Sequence, residues 1–493
     1  MIDSLTQALD YVFTADALIW ILLGFIFGVL LGAIPGVGTA VGMALVLPLT
    51  VFIDGVSAVI FLTCIYMGGM YGGSVSAILV NVPGTAGSAA TTFDGYPMSR
   101  KGQAVTALAI SASSSAIGGI VSVIILFLIT PFIIELVLLF NSPDLFLIAL
   151  LGLAMITVVS RGSIVKGLTI GLFGLLFSTV GVAPTAPDVR FNFGSLLLYD
   201  GLSIVAALLG LFAISEMLKL SAEEGGISKT PVELSGSVIE GVKFTLSQPL
   251  HILKSSLIGT VIGALPGAGS SMANFVSYSE IMRSTGMPDS FGKGDKRGVL
   301  ASEASNNSAV GGSLIPTLSF GIPGSASTAI LLGGFLIHGL DPGPSLFGSD
   351  LHITFSIYIA VAIGTIILIP TLGLLVITQL GQLTKINVEY IVPIIIVLSF
   401  VGAYTLNSNW IDVLTVLIIG IGGFYMRKFD YSIVSFLLGA ILGRMTEENL
   451  FRSLQISGGS YEIFVQSWLS IGIIILTILL IFSPNIARLR DTK

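Results

Sequence analysis

The chain has 493 residues and a formal net charge of -6, with 54% hydrophobic and only 10% charged residues. Soluble domains carry about 25% charged residues, so this composition and a mean hydropathy of +1.00 exclude a soluble protein. One cysteine excludes a disulfide framework and a cysteine-based metal site, and no basic patch suggests a nucleic-acid partner.

The fold class that follows is an all-α polytopic membrane protein with about 10–13 membrane segments, in contact with the lipid bilayer. The first apolar run, Ala17 to Ile34, precedes a Pro35-Gly36 break and a returning segment, so we predict a helix–break–helix hairpin. A second apolar run leads to a small polar segment with a break at Pro83-Gly84. Further spans of the first half are predicted at about 103–135, 145–160, 164–182 and 196–218.

One long hydrophilic stretch divides the chain into two parts. Residues 221–248 are mixed in charge and rich in Gly and Ser, so we interpret them as a cytoplasmic linker. It separates a first transmembrane repeat, 1–220, from a second repeat with an extra C-terminal span, 249–493. Further spans of the second repeat are predicted at about 352–378, 389–406, 410–426, 430–443 and 464–485.

The breaks occur in two matched pairs. GAIPGVGTAVGMALVLP at 32–48 aligns without a gap with GALPGAGSSMANFVSYS at 263–279. GGS at 72–74, followed by Pro83-Gly84, is repeated as GGS at 311–313, followed by Pro323-Gly324. Matched Gly/Pro interruptions in two apolar halves indicate a transporter's binding site. We therefore predict that the four breaks converge on one site near the middle of the bilayer.

Charges beside the two hairpins predict opposite orientations. The first hairpin is flanked by Asp16 and Asp54, and the second by Lys243, Lys254 and Arg283. Because Lys and Arg favour the cytoplasmic side, the first should be anchored outside and the second inside. The halves are thus predicted to be inverted structural repeats, an arrangement typical of secondary transporters. An ion channel would fit the spans but not these paired breaks.

Four long motifs, in order and spread over essentially the whole chain, resemble the large membrane subunit of the tripartite tricarboxylate transporter family. They are GAIPGVGTAVGMALVLPLT, MYGGSVSAILVNVPGTAGSAATTFDGYPMSRKGQA, GALPGAGSSMANF and SEASNNSAVGGSLIPTLSFGIPGSASTAILLGG. The resemblance implies a multi-pass permease of the cell (inner) membrane, working with a small membrane subunit and an extracytoplasmic solute-binding protein. It also implies import of tricarboxylates or dicarboxylates, driven by an ion gradient. Ser302 departs from the family, which usually has Pro before Glu303.

A carboxylate substrate needs positive potential, but no Lys or Arg lies at the predicted membrane depth near the breaks. Helix N-termini after the breaks can supply it, since their free N–H groups carry about half a positive charge. The candidate substrate-binding residues are Gly36, Gly38, Asn81, Gly84, Thr85, Ser88, Gly267, Gly269, Ser270, Gly324, Ser325 and Thr328. The alternative for each is that it only satisfies the backbone of a broken helix or lets helices pack.

Glu303, Asn306 and Asn307 are the candidate ion-coupling residues. Their spacing places them on one helical face, and a carboxylate within the membrane is costly and therefore a functional candidate. Na⁺ would suit an ionised carboxylate with amide oxygens, whereas H⁺ would suit a desolvated, protonated one. The sequence does not decide between them. The alternative is that Glu303 caps the helix start in water.

An intramembrane aspartyl protease is a further alternative, from Tyr199-Asp200 and the Gly292–Asp295 motif GKGD. Such an enzyme needs two carboxylates that share a proton. Lys293 and Lys296 flank Asp295 in a predicted water-exposed link, which disfavours this reading. The three histidines, His251, His338 and His352, show no metal-ligand spacing and are expected to be structural.

Overall fold

The fold is built almost entirely from helices. The computed structural model describes residues 1–34, 36–159, 163–185, 188–222, 234–267, 269–374 and 388–491. The helices of the first half are α1 (Ile2–Val12), α2 (Ala15–Ala33), α3 (Gly38–Val46), α4 (Gly55–Val80), α5 (Thr91–Arg100), α6 (Ala104–Leu138), α7 (Ser142–Val159), α8 (Ile164–Ser178) and α9 (Ile204–Ala222). Two short strands, β1 (Gly181–Val182) and β2 (Val189–Arg190), pair antiparallel between α8 and α9.

The second half begins with a hairpin of the same kind as the first. It follows helix α10 (Val238–Leu246) of the linker stretch. The helices of the second half are α11 (Pro249–Gly263), α12 (Gly269–Ser284), α13 (Lys296–Phe320), α14 (Ala326–Ile337), α15 (Leu351–Gly373), α16 (Val388–Asn407), α17 (Trp410–Lys428), α18 (Ile433–Ile456) and α19 (Trp468–Asp491). In the described part of the chain, 6 helices are long and apolar enough to cross a membrane, and several shorter apolar helices accompany them. The prediction of an all-α polytopic membrane protein is confirmed.

Two long helices form the centre of the molecule. Every residue from Ser57 to Leu79 of α4 and from Gly298 to Leu314 of α13 is buried. Helix α13 carries Ser, Asn and Glu side chains there, which are too polar to face lipid. Its neighbours therefore shield it, and α13 lies within the protein rather than at its lipid-facing surface.

Helix α2 packs along α4 as α11 packs along α13. A Cβ added to Gly28 would overlap the carbonyl oxygen of Ile65, and one added to Gly259 would overlap that of Ser305. Gly28 and Gly259 are aligned in the sequence repeat, and Ile65 and Ser305 lie equally far before Gly84 and Gly324. Small residues at such places let two backbones approach closely, so the sequence repeat is also a repeat of packing.

The breaks of the two hairpins share an unusual backbone conformation. Gly36 and Gly38 have φ values of 82° and 68°, and the aligned Gly267 and Gly269 have 75° and 55°. Glycine reaches this left-handed region without a steric penalty, whereas other residues reach it at a cost. The repeated P-G-x-G sequence is thus explained by the turn between the two helices of each hairpin. Pro35 itself lies outside the described residues.

Part of the predicted linker is folded against the first half. Helix α10 lies within the stretch 221–248, and a Cβ added to Gly241 would lie 2.6 Å from the Cβ of Ala109 in α6. Ser113 of α6 also donates a hydrogen bond to Thr245 of α10, at 2.8 Å. Residues 223–233 of the linker lie outside the described residues. The boundary between the two halves stays a prediction.

Candidate functional site

The two breaks within each half lie against each other. In the first half, a Cβ added to Gly84 would overlap the carbonyl oxygen of Gly32, and one added to Gly38 would lie 3.2 Å from the carbonyl oxygen of Gly84. In the second half, the Gly267 amide donates to the carbonyl oxygen of Gly324 at 3.1 Å. The turn of each hairpin therefore packs against the second Pro-Gly break of the same half, at Gly84 in the first half and at Gly324 in the second.

The breaks of different halves meet beside Gly87. A Cβ added to Gly87 would lie 2.6 Å from the Oγ of Ser270 and would overlap the Oδ1 of Asn306. Ser270 lies three residues after Gly267 of the third break, and Gly87 lies three residues after Gly84 of the second. The four breaks thus form one contiguous chain of contacts. At the first break, Gly36 also approaches the side chain of Leu220.

Glu303 lies at the junction between the halves and is fully buried, with 0% of its surface exposed. It accepts hydrogen bonds from the hydroxyls of Thr91 and Ser115, both in the first half, the latter at 3.4 Å. It also accepts from the Nδ2 of Asn306, at 3.4 Å. In the part of the chain that the structure describes, no cation pairs with Glu303, so these donors stabilise its buried carboxyl group. Its location makes it the strongest ion-coupling candidate.

The alternative that Glu303 caps a helix start in water is wrong. Helix α13 begins at Lys296, and the carboxylate of Asp295 accepts from the Arg297 amide at 2.9 Å as the N-terminal cap. Burial alone would raise the pKa of Asp295, but hydrogen bonds from Arg297 and Ser290 outweigh burial and hold it below its usual range. The cap is therefore Asp295, and Glu303 lies about two turns further along, inside the protein.

Asn306 connects Glu303 with the second break. Its Nδ2 donates to the carbonyl oxygen of Met70 at 3.0 Å and contacts the hydroxyl of Ser88 at 3.4 Å. Among the described residues, no hydrogen-bond partner reaches its buried Oδ1 or either polar atom of the neighbouring Asn307. A buried amide without partners costs about 1–3 kcal/mol. Unpaired amides on the face of α13 that carries Glu303 are therefore candidates for contact with a ligand.

The predicted substrate-binding residues fall into different groups. Ser325 and Thr328 form a capping box at the start of α14, so their hydroxyls are largely occupied by their own helix. Asn81 is exposed, and its left-handed φ of 61° ends α4, as Gly321 with 65° ends α13. Thr85 and Ser88 contact each other through their hydroxyls at 3.1 Å. The role of each in substrate binding stays a prediction.

Besides Thr91 and Ser115, the hydroxyl donors of Glu303, two further residues of this region were missed by the sequence analysis. Tyr66 is buried in α4, and its hydroxyl contacts Ser313 at 3.1 Å and accepts from Ser325 at 3.2 Å. Tyr66 lies as far before Gly84 as Asn306 lies before Gly324. Each of the two central helices thus uses the equivalent residue to reach the break of the other half. The alignment of the two halves places Tyr66 and Asn306 at the same position. Because the residue types differ, the sequence alone does not indicate that the two have equivalent contacts.

The second missed residue is Asp94 of α5, which is fully buried. Its carboxylate accepts from the backbone amides of Gly294 and Asp295, each at 2.7 Å, and from the hydroxyl of Tyr278 at 2.8 Å. Asp94 thereby joins the first half to the start of α13. Nothing in the sequence marks this contact, because two of its three donors are backbone groups distant in the chain.

Comparisons with known proteins agree with the motifs. Residues 18–438 match the model of the tripartite tricarboxylate transporter TctA family. The chain belongs to this family. It is therefore related to the membrane subunit of a tricarboxylate transporter and is a multi-pass membrane protein, rather than a member of an enzyme family.

Relatives from Agrobacterium vitis carry descriptions without an assigned function. An uncharacterized 52.8 kDa protein in the TAR-I ttuC' 3' region is 32% identical over 501 residues, covering 100% of this chain and 98% of the relative. An uncharacterized protein in the TAR-II ttuC' 3' region is also 32% identical, over 240 residues, covering 47% of this chain and 97% of that protein. No solved structure matches this TctA-family chain.

The geometry gives no support to the aspartyl-protease alternative for this TctA-family chain. The Oδ2 of Asp295 accepts hydrogen bonds from Arg297 and Ser290, both at 2.6 Å, so this carboxylate is paired with a cation. Asp200 is exposed in the segment before α9. Among the described residues there is also no group of three or more His, Cys, Asp and Glu that could hold a metal ion.

Proposed function

We propose that this chain is the carrier subunit of a tripartite system that imports tricarboxylates or dicarboxylates across the inner membrane by cation symport. An extracytoplasmic solute-binding protein delivers the substrate, and a small membrane subunit completes the complex. Family membership supports the transporter class. One observation supports the mechanism above others: Glu303 is buried between the halves and linked through Asn306 to the second break.

The charge of the substrate requires coupling to cations. Moving an anion inward against a negative-inside potential costs about 2.3 kcal/mol per charge for each 100 mV. A dianion or trianion therefore needs cations that travel with it. Glu303 can bind a proton directly. It can hold Na⁺ together with Asn306 only when that amide turns its oxygen atom toward the carboxylate, because Nδ2 faces Glu303 in this structure. The proposal includes both ions, and the gradient that drives uptake by the wild-type protein identifies the one used.

Inverted repeats would give such a carrier its two alternative access states. Tyr66 contacts Ser313, whereas Met70, one turn later in α4, contacts Asn306, which lies earlier in α13. The central helices therefore run antiparallel where they touch. Two equivalent helices that cross antiparallel are related by an axis perpendicular to them, which for membrane-spanning helices lies in the membrane plane. This contact pattern supports inversion of the halves.

A carrier fits the site better than an ion channel does. Ser88, Glu303 and Asn306 are fully buried, with 0% exposure each, and helices from both halves cover them. A conducting channel needs a continuous polar path. Reconstitution distinguishes the two, because a carrier shows counterflow of labelled substrate against unlabelled substrate on the opposite side, and a channel does not.

Replacing Glu303 by Gln tests the coupling step. The substitution keeps the shape and the ability to accept hydrogen bonds but removes the negative charge. We expect Glu303→Gln to abolish gradient-driven uptake of citrate or malate in proteoliposomes that contain the complete tripartite system. The folded protein and cation-independent exchange are expected to persist.

The matched control is Glu462→Gln, at an exposed position near the start of α19. It makes the same chemical change away from the site, so uptake should stay at the wild-type level. If Glu303→Gln accumulates substrate with normal ion dependence, Glu303 does not couple transport to the cation.

A further inference from the structure

The segment 189–199, which contains β2 and leads toward α9, exposes large apolar side chains although it is not a membrane-spanning helix. Phe193 and Leu196 are the most exposed, at 88% and 77% of their surfaces, and Phe191, Leu197 and Tyr199 are also exposed. Arg190 is the only charged residue in this aromatic segment. Exposed apolar patches of this kind mark surfaces that contact a membrane or another protein.

Hydrogen bonds fix the aromatic segment to the second half of the chain at two points. Arg190 donates to both carboxylate oxygens of Glu447 in α18, at 2.8 and 2.9 Å. The Nδ2 of Asn409, just before α17, donates to the carbonyl oxygen of Leu197 at 3.0 Å. The exposed side chains are therefore presented at a defined place rather than on a loose loop.

Two aromatic residues of the segment adopt a backbone conformation that favours glycine. Phe191 and Phe193 have left-handed φ values of 53° and 48°. Phenylalanine reaches this region at a steric cost, which persists only where the surrounding structure imposes it. Since both rings are exposed, their burial within the described part of the chain does not offset this cost. Burial in an apolar phase outside the protein would offset it.

Cations identify the side of the membrane on which the segment lies. Lys166, in the first turn of α8, donates to the carbonyl oxygen of Phe429 at 2.7 Å. Arg427 and Lys428 immediately precede Phe429, at the end of α17. Lys and Arg favour the cytoplasmic side, so the other end of α8 and the aromatic segment after it face outside.

The start of α17 identifies the depth of the segment. Trp410, its first residue, is 56% exposed, and Trp concentrates at the membrane–water interface. Asn409 precedes Trp410, so its hydrogen bond to Leu197 holds the aromatic segment at the same level.

Helix α8 is too short to reach that level by itself. Helix α17 has 19 residues and is about 28 Å long, close to the roughly 30 Å of the hydrocarbon core. Helix α8 has 15 residues and is only about 22 Å long. Its exposed Leu168, Leu172 and Leu176 form an apolar stripe that ends below the outer interface. The apolar side chains of the aromatic segment continue this stripe outward.

We propose that the aromatic segment inserts into the outer leaflet of the bilayer, with Phe191, Phe193 and Leu196 among the lipid acyl chains. It completes the apolar height that α8 lacks, and the Arg190–Glu447 pair lies at the headgroups, where charged groups are solvated. A solute-binding protein fits this surface less well, because non-obligate interfaces are about as polar as the rest of a protein surface. The placement is independent of the transported substrate.

A fluorescent label at Phe193 tests the insertion. Phe193→Cys is introduced into the full-length chain, whose own Cys64 is fully buried, and is labelled with the fluorophore NBD in lipid nanodiscs. We expect emission at shorter wavelength than in water. Phospholipids that carry a nitroxide near the top of an acyl chain should quench it strongly, and aqueous iodide should quench it weakly.

Two matched positions calibrate the quenchers. Leu172→Cys, exposed on α8, supplies the lipid reference and should respond best to a nitroxide deeper in the acyl chain. Asp341→Cys, exposed after α14, supplies the water reference and should respond to iodide alone. Leu196→Cys repeats the measurement within the segment and decides if Phe193→Cys does not fold.

Each other outcome contradicts the insertion. Iodide quenching at Phe193→Cys as strong as at Asp341→Cys would leave the segment in water. Protection from both quenchers would show that protein covers it. Protection from iodide that appears only when a solute-binding protein or a small membrane subunit is added would assign the surface to that partner instead.

Discussion

Gly87 shows how little space the site leaves for a side chain. A Cβ at this position would overlap Asn306 Oδ1 and would lie 2.6 Å from both Ser270 Oγ and Met70 Cε. We expect Gly87→Ala to lower counterflow by at least about 10-fold and to cost about 1–3 kcal/mol of stability, because overpacking displaces these neighbours. Counterflow of labelled citrate or malate in proteoliposomes measures the first effect.

Gly422→Ala in α17 is the matched control for Gly87→Ala. A Cβ added to Gly422 would meet no atom within 4 Å, and Gly422 lies within a helix. Alanine is the better helix former by up to about 1 kcal/mol, so folding and counterflow should be at least as good as in the wild type. If Gly87→Ala shows counterflow at the wild-type level, the side chains around Gly87 are not as closely packed as in this structure.

Single residues of the site were predictable from sequence when their chemistry was unusual for their surroundings. Glu303 and Asn306 stand out because an apolar chain rarely places a carboxylate and two amides on one helical face. Thr91 and Tyr66 do not stand out, because a Thr or a Tyr in a membrane helix is ordinary. Their roles depend on which helix lies opposite, and that is a property of the folded chain.

Among the structural elements, α5, α12 and the start of α13 are joined by the carboxylate of Asp94. Asp94→Ala would leave two backbone amides and the Tyr278 hydroxyl without their acceptor. Because hydrogen bonds to a charged group contribute about 1.5–3 kcal/mol each, we expect a loss of roughly 3 kcal/mol or more in stability. A thiol-reactive fluorogenic dye can follow thermal unfolding, since the only cysteine, Cys64, is fully buried.

The control for Asp94 is Asp289→Ala, at an exposed position of the link before α13. Exposed substitutions away from special contacts change stability by less than about 0.5 kcal/mol, so its apparent Tm should match the wild type. An equal, small effect of both substitutions would show that the Asp94 carboxylate does not hold these elements together.

The repeated elements were predictable, but their register was not. The GGS motif at 72–74 was aligned with GGS at 311–313, yet the packing pairs Gly72 with Gly312. A Cβ added to Gly72 would overlap the carbonyl oxygen of Val29, and one added to Gly312 would overlap that of Thr260. Close backbone approach, rather than identical letters, determines which residues are equivalent. Helix α10 was missed because its short amphipathic stretch is surrounded by hydrophilic residues.

At the scale of the whole molecule, each half contacts the other through a residue of its central helix that reaches a break of the opposite half. Tyr66 of α4 contacts Ser325 after the fourth break, and Asn306 of α13 contacts Ser88 after the second. Tyr66 and Asn306 are equivalent residues, and each contacts the region after the second break of the opposite half, as expected for two halves related by a two-fold axis. Sequence predicted the repetition and, from the charges, its inversion. The contacts between the halves could be identified only from the structure, because Tyr66 in one half occupies the position of Asn306 in the other.

Inversion of the halves predicts that aligned residues face opposite sides of the membrane. Asp16 and Ser247 are aligned, and both are exposed beside the first helix of their hairpins. In intact cells or oriented vesicles, we expect an impermeant maleimide to label Asp16→Cys from the outside and Ser247→Cys only after permeabilisation. The physical reason is the excess of Lys and Arg around the second hairpin and its absence around the first.

The wild-type chain serves as the background for this experiment, since its only cysteine, Cys64, is fully buried and should stay unlabelled under both conditions. Asp341→Cys, exposed after α14, supplies a second position expected outside, at the opposite end of α13 from the Lys296 side. If Asp16→Cys and Ser247→Cys label from the same side, the two hairpins are not inverted across the membrane. Alternating access by exchange of inverted halves would then be excluded.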